Sequence, residues 1–316
     1  MADDVLLVTG AAGFIGSTLV ERLLREGHRV RGVDSFTDYY DPAIKRRNLE
    51  AARQYPRFEL VEADLAEADL AALLDGVQCT FHLAAQAGVR ASWGREFAHY
   101  IRSNIDATQK LLEAARTAGM PKIVYSSSSS VYGNARQMPM SEDALPSPLS
   151  PYGVTKLSAE QMCSLYHFNY GLQVVSLRYF TVYGPRQRPD MAFHRFIRAG
   201  LRGEPIEVYG DGSQTRDFTY VDDVVEANVA AMAYAKPHGV FNVGGGSNVT
   251  LQYVIELIEA ALGCKLQAAF HPPVHGDVRD THADTRRVRA ELGWQAKVRP
   301  EQGIPAEVAW ARTLYT

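Results

Sequence analysis

The chain has 316 residues, 46% of them hydrophobic and 22% charged, with a formal net charge of −3. That length fits one large α/β domain or about two smaller ones, and so weak a charge offers no field to nucleic acid or to a membrane surface. Cys79, Cys163 and Cys264 are scattered and form no CxxC pair, which argues against a disulfide framework or a structural zinc and predicts a reducing, cytoplasmic setting. No apolar run approaches the roughly 18 residues needed to span a bilayer. The acidic start, with Asp3 and Asp4, is unlike the basic n-region of a signal peptide.

Val5–Thr9 is a continuous apolar run and predicts a strand buried on both faces, as in a parallel sheet. A helix follows over Phe14–Glu26, with Ile15, Leu19 and Leu23 at helical spacing and Gly27 as its stop. Further strands are predicted at Arg29–Val33, Phe58–Val61, Cys79–Leu83, Ile123–Ser126 and Val174–Leu177. Helices are predicted between them, notably Phe97–Thr117 and Tyr152–Tyr170. This alternation implies an α/β fold, a Rossmann-type doubly wound parallel sheet. Beyond it, helical patterns at Phe193–Arg202, Val221–Tyr234, Leu251–Leu262 and Pro300–Leu314 are joined by Pro- and Gly-rich stretches. These predict a smaller mixed α/β C-terminal substrate domain. We place the dinucleotide-binding domain at residues 1–177 plus about 218–239, and the substrate domain at 178–217 plus about 240–316.

Thr9-Gly10-Ala11-Ala12-Gly13-Phe14-Ile15-Gly16 joins the first strand to the first helix. Gly10 suits a tight turn with positive φ, Gly13 lets backbone approach a pyrophosphate, and Gly16 lets the helix pack on the strand. The helix start at Phe14 and Ile15 then faces the phosphate charge. Asp34 closes the second strand, where a carboxylate accepts from a ribose 2′-hydroxyl and repels a 2′-phosphate. The predicted cofactor is therefore NAD rather than NADP.

Tyr152 and Lys156 lie four residues apart at a helix start, on one face. A free phenol, with a pKa near 10, is a poor base at neutral pH. A nearby ammonium and an oxidised nicotinamide favour the phenolate and make it a usable acid/base for an alcohol. The serine run Ser126–Ser130 ends the fifth strand, where a hydroxyl can hold the substrate oxygen. His82 reads as a structural residue.

The Gly-x-x-Gly-x-x-Gly spacing resembles the short-chain dehydrogenase/reductase superfamily. With the Tyr-Lys pair, Val131-Tyr132-Gly133, Arg178–Pro185 and Gln214–Phe218, the chain resembles over nearly its full length the extended, nucleotide-sugar epimerase/dehydratase branch. The resemblance implies that Ser128, Tyr152 and Lys156 are catalytic. It implies cofactor contacts from Asp64 and Leu65, near the adenine, and from Leu83, Ala84 and Ala85. It implies UDP-phosphate contacts from Arg216 and Arg279, with the charge-assisted Arg–phosphate bond as the physical basis. It also implies a homodimer packed through the helices near 97–117 and 152–170.

Dehydratases of this family carry Thr-Asp-Glu before Val-Tyr-Gly, where this chain has Ser128-Ser129-Ser130, and its UDP-xylose synthases carry a Glu in the same stretch. Without an acid to divert the 4-keto sugar, hydride returns to the opposite face, which is epimerisation at C4. Gln86–Arg90 and Thr181–Met191 are similar to the UDP-glucuronate 4-epimerases, whereas UDP-glucose 4-epimerases typically carry Asn at the position of Thr181. Expected substrate contacts are Ala87, Gly88, Ser127, Ser128, Ser130, Thr181, Arg186, Arg188, Arg216 and Arg279. Arg188 is favoured over Arg186 as the partner of a uronate carboxylate. UDP-glucose/galactose epimerisation, UDP-xylose synthesis and a non-catalytic dinucleotide sensor stay open as alternatives. NAD regenerated in each turnover would stay tightly bound.

Overall fold

The computed structural model describes residues 5–119, 122–135, 137–274 and 276–315; Asp3 and Asp4 lie outside them. In chain order the elements are β1 (Val5–Thr9), α1 (Phe14–Arg25), β2 (Arg29–Asp34), α2 (Pro42–Asn48), β3 (Phe58–Glu62), α3 (Leu70–Leu74), β4 (Val77–His82), α4 (Phe97–Tyr100), α5 (Ala107–Ala118), β5 (Lys122–Ser128) and α6 (Pro151–Tyr170). They continue with β6 (Gln173–Tyr179), β7 (Thr181–Tyr183), α7 (Ala192–Arg202), β8 (Ile206–Tyr209), β9 (Thr215–Tyr220), α8 (Val221–Ala233), β10 (His238–Val243), β11 (Asn248–Thr250), α9 (Leu251–Leu262), β12 (Ala268–His271), α10 (Arg286–Leu292) and α11 (Pro300–Tyr315).

Seven strands form one parallel sheet in the order β10-β6-β5-β4-β1-β2-β3. The order reverses beside β1, so the crevice outside the ends of β1 and β4 is the natural ligand site of this doubly wound sheet. β1 is buried along its whole length: Leu6 and Val8 enter one core, Val5 and Leu7 the other. Leu19, Val20 and Leu23 of α1 are fully buried in the first of these cores. Each such side chain contributes roughly 1.5–3 kcal/mol. The helix pattern is thus the imprint of one face laid on the sheet.

The rest of the chain adds a three-stranded sheet, β11-β9-β7, and the pair β12-β8. The boundary expected near 239 falls inside β10, which stays in the parallel sheet to Val243. The single helix expected over Phe97–Thr117 is instead α4, a π-helical turn at Ile101–Asp106, and α5. Asn104 in that turn explains the break. Its side chain accepts from Gln86 N at 2.7 Å and donates to Gln86 O at 3.0 Å and Thr155 Oγ1 at 3.0 Å. These bonds tie the widened turn to the β4 exit loop and to α6. No helix among the described residues is long and apolar enough to cross a membrane.

Candidate active site

A cleft of about 1060 Å³ opens at the C-terminal ends of the parallel strands. Its floor is the loop from β1 to α1. Gly10 has φ +69°, and a Cβ there would lie 2.9 Å from Ala84 N, so the loop rests directly on the chain leaving β4. A Cβ on Gly16 would sit 2.1 Å from the Gly10 carbonyl oxygen. Gly13 N-caps α1 without a side-chain cap, and no acidic residue occupies the first turn. The positive helix end and the amides of Phe14, Ile15 and Gly16 are thus left to an anion. These residues fit a dinucleotide pyrophosphate.

Asp34 lines the cleft beside them. It accepts from Ala12 N at 3.1 Å, Phe36 N at 2.9 Å and Lys45 Nζ at 3.3 Å. Lys45, buried and also 5.3 Å from the centre of the Tyr40 ring, is a cleft residue that the sequence did not single out. Asp64, Leu65, Leu83, Ala84 and Ala85 all line the same end. The Asp64 carboxylate is already bound to Ala66 N at 2.9 Å and Arg102 Nη1 at 2.6 Å. His82 does not line the cleft. It is buried between Thr9 Oγ1 at 2.8 Å and Thr108 Oγ1 at 3.0 Å, and burial pushes its pKa down to about 3, so it is a neutral structural residue.

α6 delivers Tyr152 and Lys156. Ser150 starts the helix by accepting from Gly153 N at 3.1 Å, and Pro151 follows at the first helical position. Tyr152 is in its first turn, its phenol near the Ser128 hydroxyl, with Tyr100 edge-on at 6.3 Å. Burial raises the Tyr152 pKa, while the Arg188 guanidinium and the Ser128 hydroxyl pull it down. Lys156 is not among the groups that shift the Tyr152 phenol here. Lys156 sits 4.9 Å from the Tyr125 ring centre, and burial lowers its pKa to about 8 against the opposing pull of Cys163 and Glu160. Its ammonium makes no hydrogen bond among the described residues.

Strand alternation sorts the serines. Ser127 donates to Glu160 Oε2 at 2.6 Å on the α6 side while still lining the cleft. Ser128 takes the cleft side, and its hydroxyl also accepts from Ser130 N at 3.1 Å. Beneath Ser127, Glu160 and Arg178 form a buried pair, with Arg178 Nη2 to Glu160 Oε1 at 2.6 Å.

At the far end Ala87, Gly88, Ser130, Thr181, Arg188 and Arg216 all face the cleft. Two arginines do not take their expected places. Arg186 adopts φ +71°, which turns it away to Glu21 of α1 at 2.5 Å. Arg279 is exposed and reaches Ser213 Oγ at 3.3 Å, while its carbonyl accepts from Arg216. The cleft instead gains Arg90, paired with Asp277 at 2.7 Å and stacked 4.2 Å over the Tyr209 ring. Asp190, within the Thr181–Met191 stretch but not singled out there, is a further cleft residue. Lys45, Arg90, Asp190 and the Asn104 turn are brought in by pairings between distant segments, which periodicity does not record.

The family described as the NAD dependent epimerase/dehydratase family matches residues 6–244. A Bacillus subtilis (strain 168) protein named Uncharacterized UDP-glucose epimerase YtcB is 44% identical over 314 residues, 98% of this chain and 98% of that protein. A UDP-glucuronate 4-epimerase of Thermodesulfobacterium geofontis is 39% identical over 313 residues, 97% of this chain and 95% of that protein. The crystal structure of UDP-glucuronic acid 4-epimerase from Bacillus cereus in complex with UDP-glucuronic acid and NAD superposes with a TM-score of 0.95 at 42% identity, over 98% of this chain and 100% of that one. Glycine cradle, Tyr-Lys-Ser cluster and full-length similarity together place this chain in the NAD-dependent epimerase/dehydratase family.

Proposed function

We propose that this protein catalyses the NAD-dependent epimerisation of UDP-glucuronate at C4, giving UDP-galacturonate. The observation that carries the reading is Arg188. It is a mostly buried cation in the cleft, close enough to Tyr152 to lower the pKa of its phenol. A substrate whose C4 hydroxyl meets Tyr152 therefore presents its neighbouring C5 substituent to a guanidinium. A carboxylate there makes a charge-assisted bond that a hydroxymethyl group does not.

We assign dinucleotide binding to the parallel-sheet unit, residues 1–177 plus about 218–243, and the nucleotide sugar to the remainder. Gly10, Gly13, Phe14, Ile15, Gly16 and Asp34 would hold NAD, with Leu65, Leu83, Ala84 and Ala85 against its other parts. Bound NAD supplies the hydride acceptor at C4 and then the donor, so it is retained from turnover to turnover. Tyr152 takes the proton of the C4 hydroxyl and later returns it. Ser128 donates to the same oxygen. Lys156, its ammonium unengaged among the described residues, stabilises the phenolate when charged. Thr181, Ser130 and Arg188 hold the sugar end, and Arg216 and Arg90 the diphosphate. No carboxylate replaces the Ser128-Ser129-Ser130 stretch, so no side chain there expels a group from the keto sugar.

The test is to incubate purified protein with UDP-glucuronate without added NAD. UDP-galacturonate is the expected product. A UDP-pentose, or turnover of UDP-glucose alone, would replace this reading, and no turnover of either would indicate a dinucleotide sensor. UDP-glucose epimerisation has one observation in its favour: Asp190 neutralises Arg188, with bonds of 2.9 and 3.0 Å.

We further propose a homodimer. Val154, Leu165 and Phe168 leave an exposed apolar stripe along α6, with Ile101 exposed at the start of the π-helical turn. A disperse single-chain species in light scattering at micromolar concentration would remove this proposal.

A further inference from the structure

Arg188 is meant to hold a substrate carboxylate, yet the structure pairs it with a carboxylate of its own. The pairing has a definite geometry. Arg188 Nε donates to Asp190 Oδ1 at 3.0 Å and Nη2 to Asp190 Oδ2 at 2.9 Å. This side-on fork uses one edge of the guanidinium plane. Nη1 makes no hydrogen bond among the described residues, so the end-on edge, Nη1 with the second Nη2 proton, remains. Asp190 is itself fixed from a second segment, because Tyr39 Oη donates to its Oδ2 at 3.4 Å. Tyr39 reaches across Gly88, where a Cβ would lie 2.5 Å from the phenol oxygen. Loops after β2, β4 and β7 thus converge on one guanidinium.

We infer that Asp190 is a positioning residue for substrate discrimination: it locks the Arg188 plane by its side-on edge, so that the end-on edge is held toward the uronate carboxylate. This rests on the UDP-glucuronate reading above. The consequence is chemical. After hydride leaves C4, the sugar is a β-keto acid. If its C5–carboxylate bond aligns with the carbonyl π system, that bond breaks and CO₂ leaves. The electron pair passes into a C4 enolate, water protonates C5, and the hydride stays on the cofactor as NADH. A guanidinium that cannot rotate holds the carboxylate out of that alignment. A guanidinium free to swing does not.

The experiment compares wild type with Asp190→Asn, which keeps the shape but loses the fork. Products from UDP-glucuronate are separated as UDP-galacturonate, UDP-4-keto-pentose and CO₂, and NADH is read by absorbance. The variant is expected to raise the ratio of CO₂ to epimer by on the order of tenfold or more, since misplacement by about 1 Å has effects of that size or larger. Stranded NADH should rise with it. A side chain with a merely structural role would lower both products together. An unchanged ratio in a variant that still consumes UDP-glucuronate overturns the inference. If Asp190→Asn does not fold, Tyr39→Phe removes only the third bond to Asp190, and the ratio should rise in the same direction; no change there also overturns it. Wild type that leaves UDP-glucuronate untouched removes the substrate reading, and this inference with it.

Discussion

The buried pair under the serine strand gives the sharpest stability prediction. Glu160 and Arg178 are 1% and 4% exposed. Arg178 donates to Glu160 through Nε at 3.0 Å and Nη2 at 2.6 Å, and Ser127 adds a bond of 2.6 Å. Glu160→Gln keeps the volume and can still accept from Ser127, but leaves a buried guanidinium without its counter-ion. Breaking such a pair on one side costs about 3–5 kcal/mol. Over 316 residues the unfolding entropy is about 0.66 kcal/mol/K at about 2.1 cal/mol/K per residue. The midpoint of thermal unfolding should therefore fall by about 5–8 °C. Arg178→Met in the same background should restore part of the loss, because the uncompensated charge goes with it. Scanning calorimetry of the single and double variants is the assay. A single variant within about 1 °C of wild type would refute the argument. Glu160 also supports the charge of Lys156, so the alkaline limb of activity should move to lower pH in the same variant. Cys163, Tyr125 and His82 also surround that ammonium, and all of them are retained.

Tyr152→Phe should lower kcat by about 10²–10⁴-fold, the usual worth of a positioned acid/base, while the protein retains its nucleotide on gel filtration. In wild type, Lys156 carries a pKa of about 8, below its ordinary value because it is buried. A charged Lys156 is the active form, so kcat should fall as pH rises through about 8, and a profile flat to pH 10 would contradict the assignment. Gly16→Ala puts a Cβ 2.1 Å from the Gly10 oxygen, so purified protein should lose bound NAD, read as a lower ratio of absorbance at the nucleotide band to that at the protein band. Leu165→Glu with Phe168→Glu places charge on the exposed α6 stripe and should yield single chains in light scattering without lowering turnover per chain.

The dinucleotide end was legible because it is local. One apolar run, a glycine turn and one amphipathic helix suffice to build it, and β1, the turn and α1 appear within a residue of the reading. Tyr152 and Lys156 were legible for the same reason, their spacing being that of one helical turn. The substrate end is assembled from segments far apart in the chain, and there the reading slipped. Ser127 and Ser128 are adjacent letters that both line the cleft, but the bond of Ser127 to Glu160, a residue of α6, is not written in the serine run. Arg186 and Arg188 both sit in a loop rich in arginine. What separates them is the positive φ at Arg186, which aims it at Glu21. Asn104 is invisible in the helical period because it breaks that period.

The cleft answers a problem of charge. The chain is net negative, yet it must receive an anionic cofactor and an anionic substrate. Its cationic character includes the start of α1, Lys156, Arg188 and the neighbouring Arg90 and Arg216. The arginines have carboxylates beside them. Asp190 grips Arg188, Asp277 grips Arg90, and Asp277 and Asp280 favour the charge of Arg216, which burial and Arg90 oppose. These partners lessen the net attraction, but they fix each guanidinium before an anion arrives. Binding then needs little reorganisation, which is where preorganised sites gain most of their catalytic advantage. Lys156 is the exception. It has no acidic hydrogen-bond partner among the described residues, so its charge is not spent on a carboxylate. Carboxylates thus fix the arginines, whereas none among the described residues holds the lysine.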